Sequence, residues 1–384
     1  MSDTNIFITS PPTISPVLGE ELKQMGYENL QIEKKGVHLK GTFLDTMKMN
    51  LNLRTANRVL FKIKDLKIKS AKELYTQAKD IPWENYLDTK GYFSVQSSVR
   101  NEQIRDNRFA NLNLKDAIVD RMVDKTGRRP NTGPDYSKAV IFLFWYENDA
   151  TIYYDTSGET ISRRFYRKNP WKAPMNEALA AATILKSNWD KEQPFVNPMC
   201  GSGTLAIEAA MISMNKPAGI DRQNFSFMHC KMYDSRVWRM LRNEAISKTK
   251  RTPSALIVAT DRSTGAIEAL KENAKNAQVL KFLNIQKCDF KETTIPEKKG
   301  VIFMNPEYGE RLGEVSHLKE VYEEIGDFYK KSCQGYTGYI FTGNMDLAKS
   351  VGLATSRKTP FLSGKIDCRL LEYELYSGTR RNSD

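Results

Sequence analysis

The chain has 384 residues, enough for two or three domains of ordinary size, with 40% hydrophobic and 27% charged residues. That balance suits a packed globular protein, and no stretch approaches the roughly 20 consecutive apolar residues that a membrane helix needs. A net charge of +12 and a pI near 9.2 point to a polyanionic partner, since Lys and Arg displace counterions from phosphates, although a generally basic surface accounts for them equally well.

The N-terminus, MSDTNIFITSPPTISP, lacks the basic region and apolar core of a secretory signal. The five cysteines, Cys200, Cys230, Cys288, Cys333 and Cys368, form no Cys-x-x-Cys pair, and there are only three histidines. These features argue against a metal site and for free thiols in a reducing, cytoplasmic setting, with no membrane partner.

In chain order, residues 5–9 read as a strand and 16–25 as a helix stopped by Gly26. Alternating strands follow at 30–34 and 36–41, then a helix at 43–52 and a strand entered through Leu53–Ile63. The pattern restarts with helices at 70–79 and 115–125 and strands at 92–99, 138–146 and 150–155. Residues 97–109, with Arg100, Arg105 and Arg108, read either as a solvated loop or as an edge facing nucleic acid; Arg128 and Arg129 add charge to the same half. Asp155–Glu159 reads as a turn and a boundary. Beyond it Arg163, Arg164, Arg167 and Lys168 alternate with aromatics, a mixture suited to phosphate contact and base stacking, or else to a linker whose rings pack between domains.

From 175 onwards helices and strands alternate, the signature of a mostly parallel sheet covered on both faces. Helices are expected at 175–187, after Gly203, at 265–277 and at 318–331. Strands are expected at 195–197, 255–260, 284–287, 301–304, 338–342 and 369–376.

Three loops at strand ends carry candidate chemistry. Asn197-Pro198-Met199-Cys200-Gly201-Ser202-Gly203-Thr204 joins a strand to a helix, and Gly201, Gly203 and Ala206 fit Gly-x-Gly-x-x-Ala, which lets backbone approach a nucleotide closely. A dinucleotide site would place an acid about 20 residues on. Here the acid ending the next strand is Asp261, after an insertion at 213–254. Asp261 can accept from two ribose hydroxyls and Asp289 from an adenine amine; singly, each also reads as a cap or turn residue. Together at successive strand ends, where open α/β sheets bind ligands, they imply an adenosyl cofactor.

The third loop is Asn305-Pro306-Glu307-Tyr308, after Val301–Met304. An Asn amide oxygen and a proline carbonyl can both accept from an exocyclic amine, while Tyr308 stacks on its ring. Positioning and electrostatics can then carry the acceleration without a strong base. The alternative is an Asn-Pro turn capping the strand.

The segment 197–204 with Ile207-Glu208-Ala209-Ala210, and 305–312 (Asn-Pro-Glu-Tyr-Gly-Glu-Arg-Leu), resemble class I S-adenosylmethionine-dependent RNA methyltransferases of the THUMP-domain group. Within that group the chain is most similar to bacterial enzymes that methylate guanine N2 in 23S rRNA. The N-terminal stretches 36–41, 53–60 and 115–120 resemble the group's ferredoxin-like and THUMP modules, and 173–182 the segment covering the cofactor.

The resemblance implies an α/β fold. A C-terminal Rossmann-like methyltransferase domain with a mostly parallel seven-stranded sheet (175–384) would follow a ferredoxin-like α+β module (1–63), a THUMP RNA-binding module (64–155) and a linker (156–174). It implies S-adenosylmethionine bound by Asn197, Pro198, Cys200, Gly201, Ser202, Gly203, Thr204, Asp261, Asp289 and Asn305, with the methionine part at the glycines, the ribose at Asp261 and the adenine at Asp289. Asn305, Pro306 and Tyr308 would hold the target amine, and Arg100, Arg105, Arg108, Arg128, Arg129, Arg163, Arg164, Arg167 and Lys168 the RNA. The group usually has proline at Glu307 and lysine at Asn176. Methylation of guanine N2 in large-subunit rRNA is the expectation. A tRNA guanine-N2 or adenine-N6 methyltransferase, or a non-catalytic RNA-binding assembly factor, are the alternatives.

Overall fold

A computed structural model describes residues 4–101, 106–172, 174–309 and 315–376. In the first strand, β1 (Thr4–Thr9), Ile6 and Ile8 are fully buried and Asn5 is exposed, the period-2 pattern of a half-buried strand. There follow α1 (Ser15–Gln24), β2 (Gln31–Glu33), β3 (Gly36–Gly41), α2 (Phe43–Asn52), β4 (Arg58–Lys67) and α3 (Ala71–Lys79). Next come β5 (Tyr92–Arg100), α4 (Asn107–Thr126), β6 (Asn131–Thr132), β7 (Ala139–Tyr146) and β8 (Asp149–Asp155). The start of α2 is set by a capping box: Thr42 Oγ1 accepts from Asp45 N, and the Asp45 carboxylate accepts from Thr42 N at 2.9 Å.

These eight strands form one sheet in the order β2-β3-β1-β4-β8-β7-β5-β6. The two modules expected at 1–63 and 64–155 therefore share a continuous sheet, joined where β4 runs antiparallel to β8 from Leu60↔Asp155 to Lys67↔Asp149. Both edge strands, β2 and β6, are very short, which limits the backbone offered to other chains. Helix α4 starts at Asn107 rather than Lys115. Asp106 accepts from Arg108 N at 2.8 Å and so caps it, while Phe109 and Leu112 of its first turns stay exposed and hide the apolar periodicity.

The rest of the chain contains α5 (Glu177–Lys186), β9 (Phe195–Pro198), α6 (Thr204–Ser213), α7 (Ser235–Ser247), β10 (Ile257–Asp261), α8 (Thr264–Asn276) and β11 (Leu283–Lys287). It ends with β12 (Val301–Met304), α9 (Val315–Ser332), β13 (Thr337–Thr342), α10 (Met345–Lys349), β14 (Arg357–Ser363) and β15 (Ile366–Glu374). The seven-stranded sheet is ordered β11-β10-β9-β12-β13-β15-β14. Its first five strands are parallel and β15 and β14 antiparallel. Alternate residues enter two different cores: Phe195, Ile257, Val301 and Phe303 on one face, Val196, Val258, Ile302 and Met304 on the other. Such burial on both faces is what a continuous apolar run like Val301–Met304 encodes.

The chain forms two compact units, and neither is contiguous in sequence. The first comprises Met1–Pro11, Leu18–Ser162 and Pro217–Ile246; the second comprises Pro12–Val17, Arg163–Lys216 and Ser247–Asp384. The expected uninterrupted domain at 175–384 is thus split, because the insertion belongs to the first unit's core. Phe225 and Phe227 stack there at 5.0 Å, with Trp238 of α7 edge-on to both. Arg222, within the insertion, is buried in that unit and donates to the carbonyls of Ser157, Glu159 and Asn224. The expected linker 156–174 is not an exposed tether either. Thr156 and Ser157 are fully buried in the first unit, and Tyr166 lies in the core of the second. Among the described residues no helix is long and apolar enough to cross a membrane, and no His/Cys/Asp/Glu cluster could hold a metal ion.

Candidate functional site

Ligands of open α/β sheets sit at the carboxyl ends of the strands where the connection order reverses. Here that point lies between β9 and β12: from β9 the sheet grows outwards through β10 and β11, from β12 through β13. Ladder pairing of β9 with β12 covers only Phe195↔Val301 and Val196↔Ile302, so beyond these pairs the strands part. Asn197 bridges the opening by donating from Nδ2 to Phe303 O at 2.8 Å. Its Oδ1 is buried with no hydrogen-bond partner, and so is Oδ1 of Asn305, the residue that follows β12. Two buried, unpartnered acceptors at one crevice are costly unless a ligand donates to them.

Above β9 the backbone turns through left-handed conformations at Met199 (φ 53), Gly201 (φ 53) and Gly203 (φ 82). The two glycines are required for different reasons. A Cβ on Gly203 would lie 2.0 Å from Leu270 Cδ1, so glycine lets α6 pack against α8. A Cβ on Gly201 would meet nothing within 4 Å, so that position opens onto space a ligand can fill. Helix α6 is buried throughout, and its N-cap Gly203 has no side chain to satisfy the first N–H groups, which suits a polar or anionic ligand.

Asp261 ends β10, and both its oxygens are held: Oδ2 accepts from Gly201 N at 3.0 Å and Oδ1 from Ser263 N at 2.9 Å. The carboxylate is thereby fixed beside the glycine loop with lone pairs remaining. Asp289 accepts from Lys291 N at 3.0 Å, and Cys288 N donates to Asp261 O at 3.2 Å, tying the ends of β10 and β11 together. Burial, with Asp261 adding to it, pushes the Cys200 thiol well above its ordinary pKa, which disfavours the thiolate a nucleophile needs.

In the loop after β12, Asn305 is half-buried, Pro306 buried and Glu307 exposed. Tyr308 lies partly buried against the core, its ring over Gly343 at the end of β13, where a Cβ would come within 3.1 Å of Cε2. Its hydroxyl pairs with the Cys368 thiol. Residues 310–312 of the motif lie outside the described residues.

The segment after 162 is fastened inwards. Arg164 is buried and faces Glu208 of α6 at 3.4 Å, and Tyr166 donates to the same carboxylate at 3.1 Å. Arg167 pairs with Glu177 at 3.3 Å and donates to Thr204 Oγ1 at 3.1 Å. Arg164 and Arg167 are therefore corrections to the expected RNA contacts: their charges are committed to buried carboxylates that would otherwise stand uncompensated. Arg163 and Lys168 are exposed, as are Arg100, Arg128 and Arg129. Arg108 is exposed but paired with Asp106, and Arg105 lies outside the described residues.

One organising residue was not singled out in the sequence. Asn273 of α8 is buried, accepts from the backbone of Lys168 and Asn169, and donates to Asn169 O and Ser202 O. A polar, weakly helix-forming residue on the apolar stripe of a helix was the available signal. Trp171, 38% exposed, rests on Gly265 in the first turn of α8, where a Cβ would lie 2.1 Å from its ring.

The parallel sheet, the reversal point and the glycine loop define a class I methyltransferase fold. The RMKL-like methyltransferase domain (UPF0020) matches residues 164–372, the RlmL ferredoxin-like domain 5–60 and the THUMP domain 69–155. The chain belongs to the RMKL-like methyltransferase family. It is 32% identical over 379 residues to the ribosomal RNA large subunit methyltransferase K/L of Syntrophotalea carbinolica, covering 96% of this chain and 53% of that relative. It is also 32% identical over 370 residues to slr0064 of Synechocystis sp., provisionally described as an RNA methyltransferase, with 96% of each covered. The chain thus spans about half the length of the K/L relatives and nearly all of slr0064. Among solved structures, SMU.472 in complex with SAH superposes with a TM-score of 0.89 at 28% identity, covering 99% of this chain and 100% of that one.

Proposed function

We propose that this chain transfers a methyl group from S-adenosylmethionine to the exocyclic N2 amine of a guanine in large-subunit ribosomal RNA. The observation that carries the reading is the buried, unpartnered Asn305 Oδ1 at the strand-reversal crevice, next to a loop shaped for a nucleotide ligand. Support for the cofactor comes from the SAH held by SMU.472, and for the RNA from the relatives' names.

In this reading the backbone at Gly201 and Gly203 receives the methionine part of the cofactor, Asp261 the ribose hydroxyls and Asp289 the adenine amine. The bound cofactor supplies an electrophilic methyl group. Asn305 Oδ1 and the Pro306 carbonyl each accept one N–H of the target amine and so aim its lone pair, while Tyr308 stacks on the base. The amine becomes strongly acidic as it is alkylated, so its proton leaves without a dedicated side-chain base.

Incubation with labelled S-adenosylmethionine and deproteinised ribosomal RNA or tRNA, followed by nucleoside analysis, tests the proposal. N2-methylguanosine from large-subunit RNA is expected. Label in tRNA alone, or in N6-methyladenosine, would overturn the substrate assignment, and cofactor binding without transfer to any RNA would favour an assembly factor.

The glycine loop provides a separate check. Gly203→Ala should lower the denaturation midpoint, through its clash with Leu270 and its positive φ, at a cost of about 1–3 kcal/mol. Gly201→Ala meets no protein atom and should leave stability closer to that of the unsubstituted protein while weakening binding of S-adenosylhomocysteine, read by calorimetry. The reverse ordering would remove the cofactor from this loop.

A further inference from the structure

Of the five tryptophans, Trp83, Trp145, Trp189 and Trp238 are at most 6% exposed, whereas Trp171 is 38% exposed. Trp171 also stands at φ 51, in the left-handed region that a bulky residue rarely adopts. Backbone strain of this kind persists only where the surrounding structure enforces it, and it gathers at ligand sites.

The enforcing contacts lie along α8. Asn276 donates to Tyr166 O at 3.1 Å, and the buried Asn273 accepts from the backbone of Lys168 and Asn169. Trp171 N then donates to Asn169 Oδ1 at 3.3 Å, and the ring meets Gly265. Residues 166–171 thus run antiparallel to α8, from its last turn to its first. They set the ring down at the carboxyl edge of the sheet, where α8 begins directly after β10. Gly265 does not have a positive φ, so its backbone would accept another residue. Glycine is needed there for the close approach of the ring.

The same turn of α8 holds the acid that ends β10. Ser263, the N-cap two residues before Gly265, donates its N–H to Asp261 Oδ1 at 2.9 Å. The Trp171 ring and the carboxylate read as the ribose acceptor therefore share one helical turn, a rise of about 5.4 Å. A nucleoside whose sugar sits on that carboxylate brings a flat aromatic group within reach of the ring. The target base of the proposed reaction is directed elsewhere. Asn305 follows β12, and β9 lies between β12 and β10, so the two sites are roughly 10 Å apart across the sheet.

We propose that Trp171 forms a wall of the cofactor site and packs against the adenosine half of bound S-adenosylmethionine, with Gly265 as the gap that lets the ring come down beside Asp261. The inference rests on the reading of Asp261 as the ribose acceptor. It adds a binding residue supplied by the segment before α5 and not by a strand-end loop.

Iodide quenching of tryptophan fluorescence tests this on the full-length protein, because Trp171 is the exposed emitter among the five. The unsubstituted protein should show an iodide-accessible component that Trp171→Phe lacks. Saturating S-adenosylhomocysteine should shield that component, and methylthioadenosine should shield it where methionine does not. By calorimetry, Trp171→Ala should weaken S-adenosylhomocysteine binding about tenfold, the loss expected of one buried aromatic contact. Trp171→Phe should restore most of that affinity, and both variants should keep the circular dichroism of the unsubstituted protein. A ring that only packs on α8 would show no ligand-dependent shielding. Unchanged iodide access with S-adenosylhomocysteine bound would overturn the proposal, as would unaltered affinity in Trp171→Ala. Shielding by RNA but not by S-adenosylhomocysteine would assign the ring to the substrate and overturn it too. Methyl transfer measured in parallel separates this inference from the proposed activity: transfer without shielding rejects only the role of Trp171, while shielding without transfer to any RNA rejects only the activity.

Discussion

Asn305→Ala should reduce methyl transfer to RNA by at least about a hundredfold while S-adenosylhomocysteine affinity stays within about threefold of the unsubstituted protein. The magnitude follows from what single preorganised hydrogen-bonding groups contribute at reacting centres, about 10²–10³ in rate. The asymmetry follows from the geometry. Asn305 Oδ1 is buried without a protein partner, so deleting it removes an acceptor that no protein group uses and breaks no internal hydrogen bond of that atom. The glycine loop and Asp261 are held independently, by Gly201 N on Asp261 Oδ2 and by Cys200 N on Thr260 O at 3.0 Å. Single-turnover assays with labelled cofactor, beside calorimetric titration of S-adenosylhomocysteine, provide both numbers. A fully active variant would remove Asn305 from the reacting centre. Equal loss of binding and transfer would reassign it to the cofactor.

The second large effect concerns stability. Arg164→Met should destabilise the chain by about 3–5 kcal/mol, because it leaves Glu208 as a buried carboxylate without its cation. Both side chains are essentially inaccessible, at 1% and 0% exposure, and the Tyr166 hydroxyl donates to the same Glu208 carboxylate at 3.1 Å. The double variant Arg164→Met/Glu208→Leu should recover most of the loss, since replacing a whole buried pair by apolar groups is often neutral. Urea denaturation of the single and double variants measures this. If the single variant keeps its stability and loses only RNA affinity, Arg164 is an RNA contact after all and the ion pair carries little weight.

These two residues mark how far the sequence could be read. Asn305, the residue proposed to hold the target amine, stands out because its neighbours are chemically conspicuous: a strand of four apolar residues stops on an amide, a proline and a tyrosine, none of which ends a strand more economically than glycine would. The placement of Gly201, Gly203 and Asp261 in loops at strand ends is legible for the same reason, because the apolar periodicity of those strands is strong. Arg164 was misread because its partner, Glu208, lies 42 residues on in α6, and local pattern carries no information about a pairing at that range. A run of arginines and aromatics looks alike whether its charges face phosphate or a buried carboxylate.

The insertion shows the same limit at larger scale. Within the insertion at 213–254, residues 217–246 carry Arg222, Arg236, Arg239 and Arg242, the composition of a polar surface. Yet Phe225, Phe227 and Trp238 complete the core of the first unit, and Arg222 serves its backbone carbonyls. Local composition records how polar a segment is, not which core its few apolar residues will join.

What the linear order of residues determined by itself was the class of each element and the kinds of residue at its ends. Strand and helix periods of 2 and 3.6, glycine turns and strand-terminal acids and amides are local properties, set by backbone sterics and by burial of alternate side chains. What only the tertiary structure decided was partnership. The edge-to-edge joining of β4 to β8, the parting of β9 from β12 that leaves two amide oxygens in need of donors, and the sorting of arginines into buried and exposed all depend on groups distant in the chain. Contact between them is decided by the folding of the whole, because the free energy of burying an ion pair or pairing a strand belongs to both partners at once.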